Sequence, residues 1–138
     1  MNDRNMRRKL SERCAFRSIL VVDDQDYLAW AIKDLLEYEG HDVVVEYSGD
    51  DALRRVEVDP RQFDAVVCDY AMPGMNGMDV LRRVREIAPG IRTILMSGHP
   101  ILLHGGESRL PGVDAVLIKP FATDELEAQL MSPVGSPT

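Results

Sequence analysis

Residues 19–24 read Ile-Leu-Val-Val-Asp-Asp, four apolar and mostly β-branched side chains followed by two adjacent acids. A short, uninterrupted apolar run of this kind is typical of a central parallel strand that is buried on both faces. Such a strand excludes charge, so Asp23 and Asp24 are predicted to lie at its carboxyl end. Open parallel sheets bind their ligands at that end of their strands.

Three further apolar runs in the chain also end on polar side chains. They are AVVCDY, which places Asp69 at its end, TILMSGH, which ends at Ser97, and AVLIKPF, which ends at Lys119. If all four runs are parallel strands, their carboxyl ends bring these side chains together with the two acids of the first run. Three carboxylates, a hydroxyl and an ammonium group suit the binding of a divalent cation and a phosphoryl group.

Helical periodicity separates the apolar runs, so strands and helices alternate along the chain. Asp26 and Thr123 are predicted to cap two helices, and Gly40 is predicted to end the first. This alternation, with short connections, predicts a three-layer α/β domain around a parallel sheet. The predicted strands are residues 18–23, 42–47, 63–69, 91–97 and 113–118; the predicted helices are residues 27–39, 50–58, 78–88 and 124–131, with a short or frayed fourth helix within 98–111.

The chain has 138 residues and a net charge of −7, which suits one domain large enough to bury a core. The charge is uneven, because residues 1–17 hold six basic side chains against two acidic ones. We interpret residues 1–17 as a basic N-terminal arm, residues 18–131 as the folded domain and residues 132–138 as a flexible C-terminal tail. The net negative charge of the folded domain argues against nucleic acid as its partner.

The sequence contains no apolar stretch of membrane-spanning length, and the arm lacks the apolar core of a signal peptide. We therefore expect a cytoplasmic protein without membrane contact. The two cysteines are not expected to pair, because Cys14 lies near the arm and Cys68 lies inside a predicted buried strand. Cys68 is interpreted as an inert core thiol.

Four motifs, taken together, carry a resemblance to a known family. VVDDQD, CDYAMPGMNG, LMSG and LIKPF occur in this order and at matching strand ends, and the chain over about residues 18–131 resembles the receiver domain of bacterial two-component response regulators. The resemblance implies a flavodoxin-like (βα)5 receiver fold with strand order 2-1-3-4-5. Such a domain occurs as a single-domain regulator or as part of a hybrid histidine kinase.

The resemblance also implies roles for the residues at the strand ends. Asp69 would be the phosphorylated nucleophile, and Lys119 would pair with a phosphoryl oxygen. Asp24 and Asp69 would bind Mg²⁺ or Mn²⁺ directly, Asp23 would bind it through water, and the Ala71 carbonyl would complete the site. The groups implied to contact the phosphoryl group are Ala71, Ser97, Gly98 and Lys119. The Lys119–Pro120 peptide bond is implied to be cis.

Each of these residues also has an ordinary structural explanation. Adjacent acids after a strand can cap a helix, and Asp69 before Tyr70 could be a turn acid. A serine at a strand end is common, and a lone lysine is usually solvated. Only the joint occurrence of the four motifs favours a functional site.

Three features depart from the family pattern. Receiver domains usually carry an aromatic residue three positions before the lysine, and here that position is Val116. The predicted fourth helix, usually part of the output face, is weakened by Gly105 and Gly106. Only residues 132–138 follow the domain, so no output domain is expected in this chain.

Three functions compete on this sequence. The first is a phosphoacceptor in a His-to-Asp phosphorelay, partnered by a sensor histidine kinase or a histidine phosphotransfer protein, that assists only its own phosphotransfer and dephosphorylation. The second is a Mg²⁺-dependent aspartyl-phosphate phosphohydrolase, which by resemblance would need an acid two residues after the nucleophile, where this chain has Ala71. The third is a receiver-like interaction module that is not controlled by phosphorylation. The downstream target and the oligomeric state stay open.

The first predicted helix carries a candidate docking surface. Its apolar stripe is predicted to use Leu28, Ala31 or Ile32, Leu35 and Leu36. Two aromatic side chains near its start point off that stripe, as interface residues often do. Packing of these aromatics against the fifth predicted helix or the arm is an equal alternative. The candidate docking residues are Gln25, Tyr27, Leu28, Trp30 and Ala31.

Overall fold

The structure, a computed structural model, describes residues 17–98 and 110–131. The arm up to residue 16, residues 99–109 of the predicted fourth helix and the tail lie outside the described residues. The five strands are β1 (Ser18–Val22), β2 (Asp42–Glu46), β3 (Ala65–Asp69), β4 (Arg92–Ser97) and β5 (Ala115–Ile118). The four described helices are α1 (Asp26–Tyr38), α2 (Gly49–Val58), α3 (Gly77–Ile87) and α4 (Thr123–Met131), the last corresponding to the fifth predicted helix.

All five strands are parallel and follow the order β2-β1-β3-β4-β5, which confirms the predicted fold class. Alternate side chains of each strand point to opposite faces of the sheet. Leu20 and Val66 pack in a core with α2 and α3, whereas Ile19 and Val67 pack in a core with α1 and α4. Because both faces are covered, β1, β3 and β4 can be apolar almost throughout, as their sequences predict.

The buried face of α1 differs from the prediction. Ala29, Ile32 and Leu36 are its buried residues, and Ala31 and Leu35 are exposed, so their assignment to the core stripe is wrong. The three buried positions still follow helical spacing, but the helix is rotated so that the small Ala29 faces the sheet. This rotation leaves large apolar side chains on the outer face.

Two predicted helix caps are also wrong. Gln25 occupies the N-cap position of α1 without a side-chain capping bond, and Asp26 is the first helical residue. Thr123 is likewise the first residue of α4, and the amide of Ala122 before it donates to Glu125 Oε1 at 3.0 Å. In α4 a glutamate reaches back to the start of the helix, which is half of a capping box.

Gly40 ends α1, as predicted. It has a φ of 102°, a left-handed conformation that favours glycine. Its amide donates to the Glu37 carbonyl at 3.0 Å, and the His41 amide donates to the Leu36 carbonyl at 3.1 Å. These two bonds form the Schellman motif, which satisfies carbonyls at the helix end.

The buried His41 joins three elements at the edge of the sheet where the strands begin. Its Nδ1 accepts a hydrogen bond from the Arg17 amide at 2.9 Å, and its Nε2 lies 2.8 Å from Glu127 Oε1 in α4. Arg17, the first described residue, is therefore held beside the C-terminal end of α1. None of the helices in the described ranges is long and apolar enough to cross a membrane.

Candidate functional site

The parallel sheet places the predicted site residues at its carboxyl edge. Asp23 follows β1, Asp69 and Ser97 end β3 and β4, and Lys119 follows β5. Asp23, Asp69 and Ser97 are buried, Lys119 is half-buried, and Asp24 is exposed. The structure thus brings together side chains that are far apart in the sequence.

An ion-pair network connects three of these side chains. Lys119 Nζ lies 2.7 Å from Asp69 Oδ1 and 3.5 Å from Asp23 Oδ2. Carboxylate oxygens of Asp23, Asp24 and Asp69 all lie within 4.8 Å of one another. One ammonium group therefore pairs with two of the three carboxylates, and the cluster has an excess of negative charge.

Burial raises the pKa of Asp23, and the neighbouring charges of Asp69 and Asp24 raise it further. The amide of Gln25, which donates to Asp23 Oδ1 at 3.0 Å, and the charge of Lys119 act in the opposite direction. Because burial has the largest effect, the ionised form of Asp23 is disfavoured in the folded protein. A cation that favours the ionised form of Asp23 would be stabilised at the site.

The donor set fits a hard divalent cation. Asp23 Oδ2 is buried and accepts no hydrogen bond within the described part of the chain, although it points into the acidic cluster. Mg²⁺ and Mn²⁺ prefer carboxylate, carbonyl and water oxygens. Asp23, Asp24 and Asp69 supply the carboxylates, and the exposed Ala71 lies two residues beyond Asp69 on the loop that follows β3.

The groups predicted to contact a phosphoryl group lie beside Asp69. The Tyr70 amide donates to the Met96 carbonyl at 2.8 Å, which holds the end of β3 next to β4. The Lys119 amide donates to the Ser97 carbonyl at 2.7 Å, which holds β5 on the other side. Among the described residues, a methyl group on Gly98 would meet no atom within 4 Å. The Lys119–Pro120 bond is cis, as the resemblance implies.

Gly77 holds the end of β3 close to α3, a role that was not predicted from the sequence. A Cβ atom on Gly77 would lie 2.3 Å from the Asp69 carbonyl oxygen, and the Gly77 amide donates to the Tyr70 carbonyl at 2.9 Å. Asn76 caps α3 by accepting from the Asp79 amide at 3.0 Å. The Asn-Gly pair after the β3 loop is the sequence signal that could have indicated this close approach.

Cys68 is buried directly before Asp69, and its thiol lies 3.5 Å from the Asp69 carbonyl oxygen. Burial raises the pKa of this thiol, and the charges of Asp69 and Asp23 raise it further. Since the thiolate is the reactive form, these surroundings support the prediction of an inert core thiol.

Val116 is half-buried and packs against the core beneath α2 and α3. Tyr70 packs against the same core. The position of the family's aromatic residue in β5 is therefore filled by a small aliphatic side chain.

The predicted docking residues line the start of α1. Gln25, Tyr27, Trp30 and Ala31 are exposed, and Leu28 is half-buried. Trp30 Nε1 donates to the hydroxyl of Tyr47, the residue after β2, at 2.7 Å. This hydrogen bond does not support the alternative that Trp30 packs against α4.

Comparisons with known proteins agree with this geometry. A family model described as the response regulator receiver domain matches residues 19–131. The transcriptional regulatory protein TrcR of Mycobacterium tuberculosis is 34% identical over 113 residues, which cover 81% of this chain and 43% of TrcR. The transcriptional regulatory protein ZraR of Salmonella typhimurium is 34% identical over 112 residues, which cover 81% of this chain and 25% of ZraR. The chain spans less than half the length of these two relatives.

Solved structures with the same fold include a response regulator receiver domain protein from Clostridium thermocellum. It is 32% identical, has a TM-score of 0.72, and is matched over 82% of this chain and 90% of its own. The receiver domain of the hybrid histidine kinase CckA is 26% identical, with a TM-score of 0.65 and coverage of 82% of this chain and 98% of its own.

The close approach at Gly77 generates a prediction. We expect Gly77→Ala to lower the free energy of unfolding by about 1–3 kcal/mol, because the added methyl group overlaps backbone atoms of Asp69. Urea unfolding measures the change. Gly90→Ala is the matched control, since a Cβ there meets no atom of the described residues within 4 Å. Equal stability of the two variants would contradict the packing role of Gly77.

Proposed function

This chain belongs to the response regulator receiver domain family, and from that premise we propose that it is a phosphoacceptor in a His-to-Asp phosphorelay, phosphorylated on Asp69. The 2.7 Å contact between Lys119 Nζ and Asp69 Oδ1 carries the proposal. This contact places the Lys119 ammonium group beside one carboxylate of the acidic cluster. After phosphorylation, the ammonium group could contact a phosphoryl oxygen instead of the carboxylate oxygen. Phosphorylation would then switch the interaction of the domain with partner proteins.

In the proposed reaction, a carboxylate oxygen of Asp69 attacks the phosphorus of a phosphohistidine on the partner. The new P–O bond forms while the P–N bond breaks, and the imidazole leaves as the neutral ring after it takes up a proton. Phosphoryl transfer of this kind needs mainly positioning and charge neutralisation. Lys119 is proposed to pair with a phosphoryl oxygen, and the Ser97 hydroxyl and the backbone at Gly98 are proposed to hold another.

Asp24 and Asp69 are proposed as direct ligands of Mg²⁺ or Mn²⁺, Asp23 as a ligand through water and the Ala71 carbonyl as the remaining protein oxygen. When bound, the cation supplies charge neutralisation between the carboxylates and the phosphoryl oxygens. Ala71 is also proposed to contact the phosphoryl group through its backbone.

Two other functions receive less support. Because Ala71 stands two residues after Asp69, the phosphohydrolase alternative lacks its general acid, and we propose that the domain assists only its own phosphotransfer and dephosphorylation. The alternative of an interaction module without phosphorylation is weakened by the complete set of Asp23, Asp24, Asp69 and Lys119. The proposed phosphodonor is a sensor histidine kinase or a histidine phosphotransfer protein in the cytoplasm.

We expect Asp69 to be the only phosphorylation site. Incubation with acetyl phosphate or phosphoramidate and Mg²⁺ should raise the intact mass by one phosphoryl group, because Asp69, the last residue of a buried strand, is closer to Lys119 (2.7 Å) than Asp23 is (3.5 Å). The Asp69→Asn variant should show no increase, with Asp64→Asn as the control for a carboxylate remote from the cluster. If Asp69→Asn still gained the mass of one phosphoryl group, Asp69 would not be the phosphorylation site.

Cation affinity should depend on Asp24 and Asp69 but hardly on Ser97. Neutralising either direct ligand should weaken Mg²⁺ binding by at least about tenfold, the loss typical even of groups that only support a ligand. The Ser97→Ala variant should bind normally, because its hydroxyl is assigned to the phosphoryl group. Calorimetric titration of the three variants decides this, and equal losses in all three would refute the division of roles.

The start of α1 is proposed as the docking surface for the phosphodonor protein, because it adjoins the edge that carries Asp23 and Asp24. We expect Tyr27→Ala and Trp30→Ala to slow phosphotransfer from the cognate kinase severalfold while labelling by acetyl phosphate stays unchanged. Tyr38→Ala, at the far end of the same helix, is the control and should not slow transfer. Equal slowing with both donors would mean that Tyr27 and Trp30 support the fold instead.

A further inference from the structure

Most of the large hydrophobic side chains that are exposed in the described structure belong to one helix, α1. Of the six exposed large hydrophobic residues in the described part of the chain, four belong to α1 and a fifth, Tyr47, is hydrogen-bonded to one of them. The four on α1 are Tyr27 (73% exposed), Trp30 (49%), Leu35 (49%) and Tyr38 (88%). Exposed apolar surface concentrated in this way marks an interaction site. We call these five side chains the aromatic face.

Polar contacts hold two members of the aromatic face, Trp30 and Tyr47. Trp30 Nε1 donates to the Tyr47 hydroxyl at 2.7 Å, and Lys33 Nζ lies 5.1 Å from the centre of the Trp30 ring. A side chain that is already ordered loses little conformational entropy when another surface covers it. The Trp30–Tyr47 pair is therefore suited to contact with another surface.

We propose that the basic N-terminal arm of this same chain covers the aromatic face of α1. The chain enters the described structure at Arg17, whose amide donates to His41 just beyond the C-terminal end of α1. The arm therefore starts near the C-terminal end of α1, the end of the helix that carries Tyr38.

The arm is long enough to reach the other end. At about 1.5 Å per residue, the 13 residues of α1 span roughly 20 Å. Sixteen residues precede Arg17, and an extended chain of that length reaches roughly 50 Å at about 3.3 Å per residue. The arm can cover the face with residues to spare.

The charges of the two surfaces are complementary. Residues 1–16 contain five basic side chains against two acidic ones, whereas α1 and its C-cap carry four exposed acids against the single cation Lys33. Asp34 lies within the aromatic face, between Trp30 and Tyr38. The arm also supplies the apolar side chains of Met6, Leu10 and Cys14.

One consequence concerns the proposed phosphodonor. Tyr27 and Trp30 belong both to the aromatic face and to the proposed docking surface, so a partner protein would have to displace the arm, whereas a small phosphodonor would not. The proposal itself does not rest on phosphorylation, and its test uses no phosphodonor.

Trp30 is the only tryptophan of the chain, so its fluorescence reports directly on the aromatic face. In the full-length protein at low salt, acrylamide should quench Trp30 weakly, because the arm covers the ring. The double variant Arg7→Glu, Arg8→Glu should release the arm and raise the quenching constant severalfold, with a red shift of the emission. Molar salt should have the same effect on the unchanged protein, since it screens the charge pairs.

The matched control is Arg82→Glu, Arg83→Glu, an equal change of charge at exposed positions of α3 on the opposite face of the sheet; it should leave quenching unchanged. Asp34→Arg alone should increase the quenching of Trp30. When it is combined with Arg7→Glu, Arg8→Glu, the charges are again complementary and quenching should be weak again. Strong quenching of the unchanged protein at low salt, or equal effects of the arm and control variants, would overturn the proposal. Protection that disappears on dilution would also overturn it, because the covering segment would then belong to a second copy of the chain.

Discussion

Like charges meet at the carboxyl end of a sheet whose central strands are almost entirely apolar. Oxygens of Asp23, Asp24 and Asp69 lie within 4.8 Å of one another, and the ammonium group of Lys119 faces this cluster. Burial raises the pKa of Asp23. The fold is therefore less stable when Asp23 is ionised, as at neutral pH, than when it is protonated, the form that predominates well below the raised pKa. The acidic cluster therefore carries an electrostatic cost that a bound cation would relieve.

The rest of the architecture keeps this cluster from relaxing. The pairing of β3 with β1 and β4 on either side fixes the Asp69 backbone, and the Asp69 carbonyl is in close contact with Gly77 at the start of α3. The amide of Lys119 is bonded to the end of β4 at 2.7 Å. If one of the three carboxylates could move away from the other two, their mutual repulsion and their joint affinity for a cation would both fall. Rigidity of the sheet edge is therefore part of the proposed function.

Much of this arrangement could be predicted from the sequence, because apolar runs that end on polar residues determine both the strands and their shared edge. The strand order required the family resemblance, since spacing alone does not fix it. The rotation of α1 was not predicted, because Ala29 and Ala31 are equally apolar and only contact with the sheet decides between them. The role of Gly77 was also missed, since its close contact with Asp69 depends on tertiary packing that no local pattern records.

The stability of Asp23→Asn with and without Mg²⁺ tests the electrostatic basis of the site most directly. Asparagine keeps an oxygen that can accept from the Gln25 amide but removes a buried negative charge. In EDTA at pH 7, the variant should have a higher free energy of unfolding than the unchanged protein, and added Mg²⁺ should stabilise the unchanged protein much more than the variant. A variant that is less stable in EDTA, or that gains as much from Mg²⁺ as the unchanged protein, would contradict this view of the acidic cluster.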